Sequence, residues 1–171
     1  MFGCGCWVEQ DIKTSDEEVN SIGICTTGCG EYIIKSLFAK ECAQNILRNL
    51  NKTDYDLNQF FKKYFFDAPL LKKFDDKLIG ALICKLSSYQ NNEKNLELIV
   101  AHTTPSMCFG YVSSNMIKPT SVMSRMSENN LSIRECVQIT NFNIKFRSKL
   151  DQISQNEVNH EEETSNKRQK I

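Results

Sequence analysis

Apolar positions along this chain repeat with two different periods. Residues 3–8, GCGCWV, predict a short strand whose glycines allow close backbone approach. Residues 9–20, EQDIKTSDEEVN, are polar and acidic and predict an exposed loop. Residues 21–27, SIGICTT, predict a second strand from their β-branched and small side chains. After GCGE the period becomes helical: over 31–50, Ile34, Leu37, Phe38, Cys42, Ile46 and Leu50 recur at three- and four-residue steps. Glu31 in the first turn and Arg48 near the end suit the poles of a helix dipole. Asn51 to Asp54 break this pattern. A second helix is predicted over 55–66, with Leu57, Phe60, Phe61, Tyr64 and Phe65 on one side, and Pro69 closes the region.

Strands follow over 78–89, 96–104 and 106–114, separated by the turn-rich QNNEKN (90–95) and by Pro105. The order β, β, α, α, β, β, β predicts an α+β fold, with two helices on one face of a mainly antiparallel sheet. Residues 1–126 carry this pattern. Residues 127–150 are weakly patterned and read as an edge strand or a hairpin. Residues 151–171 hold only Ile153, Val158 and Ile171 as aliphatics and predict a disordered polar tail.

Composition narrows the function classes. Of the 171 residues, 40% are apolar and 25% charged, as in ordinary globular domains. Lys+Arg and Asp+Glu both number 21, so there is no basic surplus of the kind a nucleic-acid binder carries. No apolar run reaches membrane-spanning length, and the N-terminus, with Glu9 and Asp11, does not read as a signal peptide. Cytoplasm or nucleus is the expected compartment, so the eight cysteines are expected as reduced, small buried hydrophobes rather than disulfides. No CxxC pair occurs and the histidines are two, His102 and His160, so no structural zinc is expected.

Thr26-Thr27-Gly28-Cys29-Gly30-Glu31 joins a predicted strand to a predicted helix. Amides at a helix start have no intrahelical partner, and glycines at 28 and 30 let a ligand approach them. Such a turn suits an anion or a developing oxyanion, with Thr27 adding a hydroxyl donor. By spacing alone the simpler reading is a threonine cap and a tight turn. Cys29 as a nucleophile lacks a nearby histidine in sequence, and His102 reads as structural.

Two blocks, CTTGCGEYIIKSLFAKECAQNIL (25–47) and AHTTPSMCFGYVSSNMIKPTSVMSRM (101–126), resemble the threonine aspartase (taspase) branch of the asparaginase-like N-terminal-nucleophile hydrolases. GCGCW (3–7) and LIGALIC (78–84) fit the same family in the same order, so the resemblance spans about Phe2 to Met126. It implies a four-layer αββα sandwich, a precursor that cuts itself into α and β subunits, and a threonine nucleophile whose free amine is the base. The implied activity is endoproteolysis after aspartate in nuclear regulatory proteins, with no metal or organic cofactor, no membrane and no direct nucleic-acid contact. The complete enzyme is implied to be a heterodimer that pairs into a dimer. Carried over by motif, Thr27 and Gly28 form the oxyanion hole, while Cys29 and Gly30 lie in the substrate-binding segment. With the resemblance in view, the ligand-binding reading of residues 26–30 is preferred to the plain cap.

The family's nucleophilic threonine begins a strand upstream of GCGCW. Thr14, Thr26 and Thr27 are internal and lack a free amine, so the chain is expected to correspond to the C-terminal part of a β subunit, with the nucleophile and the α part elsewhere. By itself it is then expected to be inactive and to fold poorly, through unpaired strand edges. A non-catalytic partner of an intact family member and a fragment of an asparaginase or isoaspartyl peptidase are the alternatives.

Overall fold

The computed structural model describes residues 3–11, 18–50, 56–89, 94–113, 116–128 and 136–145. The tail expected over 151–171, His160 and most of the loop at 90–95 lie outside them. The fold is α+β. Five strands, β1 (Cys6–Asp11), β2 (Glu18–Gly28), β3 (Ile79–Tyr89), β4 (Lys94–His102) and β7 (Gln138–Lys145), form an antiparallel sheet in the order β1-β2-β3-β4-β7. A hairpin of β5 (Ser106–Tyr111) and β6 (Thr120–Arg125) forms a second, two-stranded sheet.

Alternation along the strands divides the buried residues between two faces. Ile22, Ile24, Ile79, Ala81, Ile83 and Ala101 point to the helices and are buried with Phe38, Cys42, Phe61 and Phe65. On the opposite face, Leu98 and Val100 meet Phe109 of the hairpin, with Leu82, Met107 and Phe142 around them. The hairpin covers the β3–β4–β7 side of that face. Val8 on β1 stays 76% exposed.

Three helices, rather than the two expected, cover the first face. The helical run at 31–50 is divided at Leu37, which adopts a left-handed conformation (φ 47°) between α1 (Gly30–Ser36) and α2 (Phe38–Arg48). Ser36 Oγ donates back to the Tyr32 carbonyl at 2.7 Å, and the Leu37 N–H bonds Ile34 O in a tightened last turn. The break lets α1 bring Tyr32 onto Phe74, with ring centroids 4.6 Å apart, while α2 lies on β1 and β2. α3 (Leu57–Phe61) is capped by Asp56, whose carboxylate accepts the Asn58 N–H at 2.9 Å. It continues into a π-helical turn over Lys62–Phe66. The widened turn directs both Phe65 and Phe66 inward, so Phe66 joins the side predicted from Leu57, Phe60, Phe61, Tyr64 and Phe65, of which Tyr64 is only half-buried.

The acidic stretch expected as a loop is partly sheet. Trp7, Glu9 and Asp11 stand opposite Ile24, Ile22 and Asn20, so β1 runs three residues beyond its apolar part and β2 begins at Glu18. An edge strand needs backbone partners on one side only, so Glu9 and Asp11 are carried in it at half-buried positions, where Glu9 Oε2 also accepts from Gln44 Nε2 at 3.4 Å. Trp7 Nε1 donates to Glu9 Oε2 at 2.6 Å along the strand.

Candidate functional site at the β2–α1 turn

β2 ends in three residues with different tasks. Thr26 is structural: its N–H donates to Gly5 O at 2.7 Å and its hydroxyl to Cys4 O at 3.0 Å, which ties the chain preceding β1 to β2. Thr27 is exposed and shares the hairpin-side face with Gly80, its register partner on β3. Gly28 has φ 127°, and a Cβ there would lie 2.4 Å from Leu78 O and 2.8 Å from Ile79 Cα. This position requires glycine because β2 and β3 close together at their ends.

The helix cap is not a threonine. Cys29 is the N-cap of α1, is half-buried, and caps with no side-chain bond. Its N–H donates to Leu78 O at 2.9 Å, and its carbonyl accepts from Tyr32 N–H at 3.0 Å and Ile33 N–H at 3.2 Å. The Cys29 amide is therefore committed within the fold. Gly30 differs: it is exposed, its φ is ordinary, and a Cβ there would meet nothing within 4 Å. Neither packing nor backbone conformation demands glycine at 30, and the space beside it is open to a ligand. Partial burial, and then the acids Cys29, Glu31, Asp76 and Asp75, push the Tyr32 hydroxyl above its usual range in the first turn of α1.

The HTT segment acts structurally. His102 is fully buried. Its Nδ1 lies 2.8 Å from the Thr104 carbonyl, which accepts only, so this nitrogen carries the proton. Nε2 lies 2.9 Å from Ser124 Oγ of β6 and accepts from it when the ring is neutral. Thr103 accepts the Ile79 N–H at 2.9 Å and donates to Lys77 O at 2.8 Å, binding the end of β4 to the start of β3. The His102–Ser124 bond ties the hairpin to the sheet, and Met107 of the hairpin lies above Gly80, beside Thr27. Thr27, Gly80 and His102 thus form one cross-strand row on β2, β3 and β4. Nothing in the one-dimensional pattern marked Met107 or Gly80 as neighbours of Thr27; each was visible only as part of a block.

A cleft of about 380 Å³ opens elsewhere, on the helix side, lined by residues including Ile46, Asp56, Lys85, Glu97 and Asn141. Lys85 Nζ and Glu97 lie 3.8 Å apart there, and Asn141 Nδ2 donates to Glu97 at 3.1 Å. Among the described residues no group of three or more His, Cys, Asp or Glu is placed to hold a metal, and no helix is long and apolar enough to cross a membrane. The cysteines divide: Cys4 and Cys42 are buried, whereas Cys6, Cys25, Cys84 and Cys108 are exposed. The expectation of small buried hydrophobes fails for these four. Cys6, Cys25 and Cys84 alternate onto the sheet face opposite the helices. No protein-family model matches this chain.

Proposed function

We propose that this chain forms the oxyanion-hole and substrate-binding part of a threonine-type endopeptidase of the asparaginase-like N-terminal-nucleophile class, cleaving after aspartate. One observation carries the reading. Three sequence blocks with that resemblance converge at the end of β2: Thr27 from the first, Gly80 from the second, and His102 and Met107 from the third. The exposed Thr27 hydroxyl and the open Gly30 backbone lie at a strand–turn–helix junction, a geometry that offers fixed donors to a tetrahedral intermediate. The Thr27 hydroxyl and Gly28 N–H are the proposed oxyanion donors, with Gly30 and the Cys29 segment beside the substrate. Cys29 serves there through its position and not through its amide, which Leu78 O occupies.

In this reading the nucleophilic threonine and its amine come from an α/β segment outside these 171 residues, and the assembled enzyme is a dimer of α/β heterodimers in the partial αββα sandwich. Its substrates are nuclear regulatory proteins, met in the nucleus or cytoplasm. The test is co-expression of the chain with the coding sequence that precedes it, followed by assay on a peptide containing an Asp–Gly bond. Cleavage after aspartate, with a new threonine N-terminus on the enzyme, supports the proposal. Turnover of free asparagine in preference to the peptide replaces it with asparaginase chemistry. Co-purification with an intact family member and no turnover replaces it with a pairing role.

A further inference from the structure

β1 and β2 place Cys6 directly opposite Cys25, with the two sulfurs 3.6 Å apart. The Thr26 N–H bond to Gly5 O identifies this as a non-hydrogen-bonded position of the ladder. At such positions the Cα atoms approach to about 4.5 Å and the side chains lean together. A disulfide spans Cα separations of about 4.4–6.8 Å, so a bridge is within reach of the existing strands. Both thiols are exposed on the face away from the helices. Cys84, the third exposed thiol on that face, stands opposite Gly23 and not opposite a cysteine.

We propose that Cys6 and Cys25 are a redox couple, oxidised by hydrogen peroxide to a cross-strand disulfide and reduced again by two molecules of a small thiol such as glutathione, which leave as their own disulfide. One sulfur, as thiolate, attacks the peroxide oxygen. The O–O bond breaks, a sulfenic acid forms, and the departing hydroxide takes a proton to leave as water. The second sulfur then attacks the sulfenic sulfur, the S–S bond forms, and a second water leaves. Two thiols lose two hydrogens and two electrons, and the peroxide takes them up. The hydrogen bond with Cys6, then burial and the neighbouring sulfurs, push the Cys25 thiol up, which leaves the attack on peroxide to Cys6 and the second attack to Cys25. The bridge would tie the edge strand covalently to its neighbour, two residues from Thr27 on the same face. This inference stands on the ladder geometry and is independent of the proposed peptidase activity.

The experiment exposes the 171-residue chain to hydrogen peroxide, alkylates it, digests it with trypsin and maps the linked peptides. Fragmentation must assign the bridge to Cys6 rather than Cys4, and to Cys25 rather than Cys29, since each pair shares a tryptic peptide. The expected result is a Cys6–Cys25 bridge as the predominant product. It is abolished in C6S and C25S, retained in C84S, reversed by glutathione, and lost when oxidation is done in urea. A predominant bridge to Cys84, over-oxidation of Cys6 without a bridge, or an undiminished yield in urea would overturn it. Should a serine variant fail to fold, the native and urea maps of the unsubstituted chain decide alone.

Discussion

Met107 occupies the space above Gly80: a Cβ built on Gly80 would lie 2.7 Å from the Met107 sulfur and 3.1 Å from Thr27 Cγ2. The sulfur is on a flexible side chain and can withdraw, so Gly80→Ala is expected to change stability by less than about 1 kcal/mol, with the reduced entropy of the unfolded chain offsetting the crowding. Gly80→Val cannot be accommodated in that way and is expected to cost about 1–3 kcal/mol. Urea unfolding of the two variants checks the difference. An equal loss for both would show that Met107 does not yield.

Gly28 and Gly30 are expected to respond oppositely to alanine. At Gly28 a Cβ meets the backbone of Leu78 and Ile79, and φ is 127°. Gly28→Ala is therefore expected to lose about 3 kcal/mol or to fail to fold. Gly30→Ala enters open space at the first helical position and is expected to gain up to about 1 kcal/mol. If Gly30 contacts substrate, the same variant loses activity in the assembled enzyme while melting no lower than the parent.

Thr27→Val is expected to leave the fold intact, because the side chain is exposed and its methyl contact with Gly80 is kept. In the complete enzyme it is expected to remove roughly 3 kcal/mol of transition-state stabilisation, seen as a fall in kcat of about 10²–10³. Unchanged kcat would remove Thr27 from the oxyanion hole.

Leu37 carries a left-handed conformation that costs a branched side chain about 1 kcal/mol and costs glycine almost nothing. The side chain is 39% exposed, and the packing of its covered part offsets some of the gain from relieving that cost. Leu37→Gly is expected to raise stability by up to about 1 kcal/mol, measured as an increase in Tm. A clear decrease would mean that the exposed leucine is held by contacts stronger than its backbone strain.

Burial pushes the Cys42 thiol far above its ordinary value of 9.0. The folded protein keeps this proton at pH values where the unfolded chain releases it. The stabilisation is therefore complete below pH 9 and is lost as pH rises beyond it. One retained proton corresponds to a decline of about 1.4 kcal/mol per pH unit in that range. Cys42→Ala is expected to be less stable at pH 7 and to show a shallower alkaline decline, which chemical denaturation at pH 8, 9 and about 10 resolves.

The α+β class and most strands were legible because alternating apolar residues leave a period-two signature that survives without tertiary context. The apolar stripe of α2 and the Phe cluster of α3 were legible for the corresponding helical reason. The division at Leu37 was not, since neither glycine nor proline marks it and the break serves packing of Tyr32 on Phe74. The polar half of β1 was hidden too: Glu9 and Asp11 belong to the sheet through backbone pairing, which side-chain polarity does not report. β6 escaped because Thr120–Arg125 is half exposed and gains its place by pairing with β5.

The order of residues alone determined where the candidate turn lies, between a β-branched strand and a helix, because both periodicities are local properties. Which amides remain available at that turn was decided only in three dimensions. Leu78 O, 49 residues from Cys29 along the chain, takes the Cys29 N–H, and the same closure of β2 on β3 makes glycine obligatory at 28. Likewise, whether each cysteine is core or surface depends on which face of the sheet the helices cover. That is a property of packing between distant segments, and no local pattern encodes it.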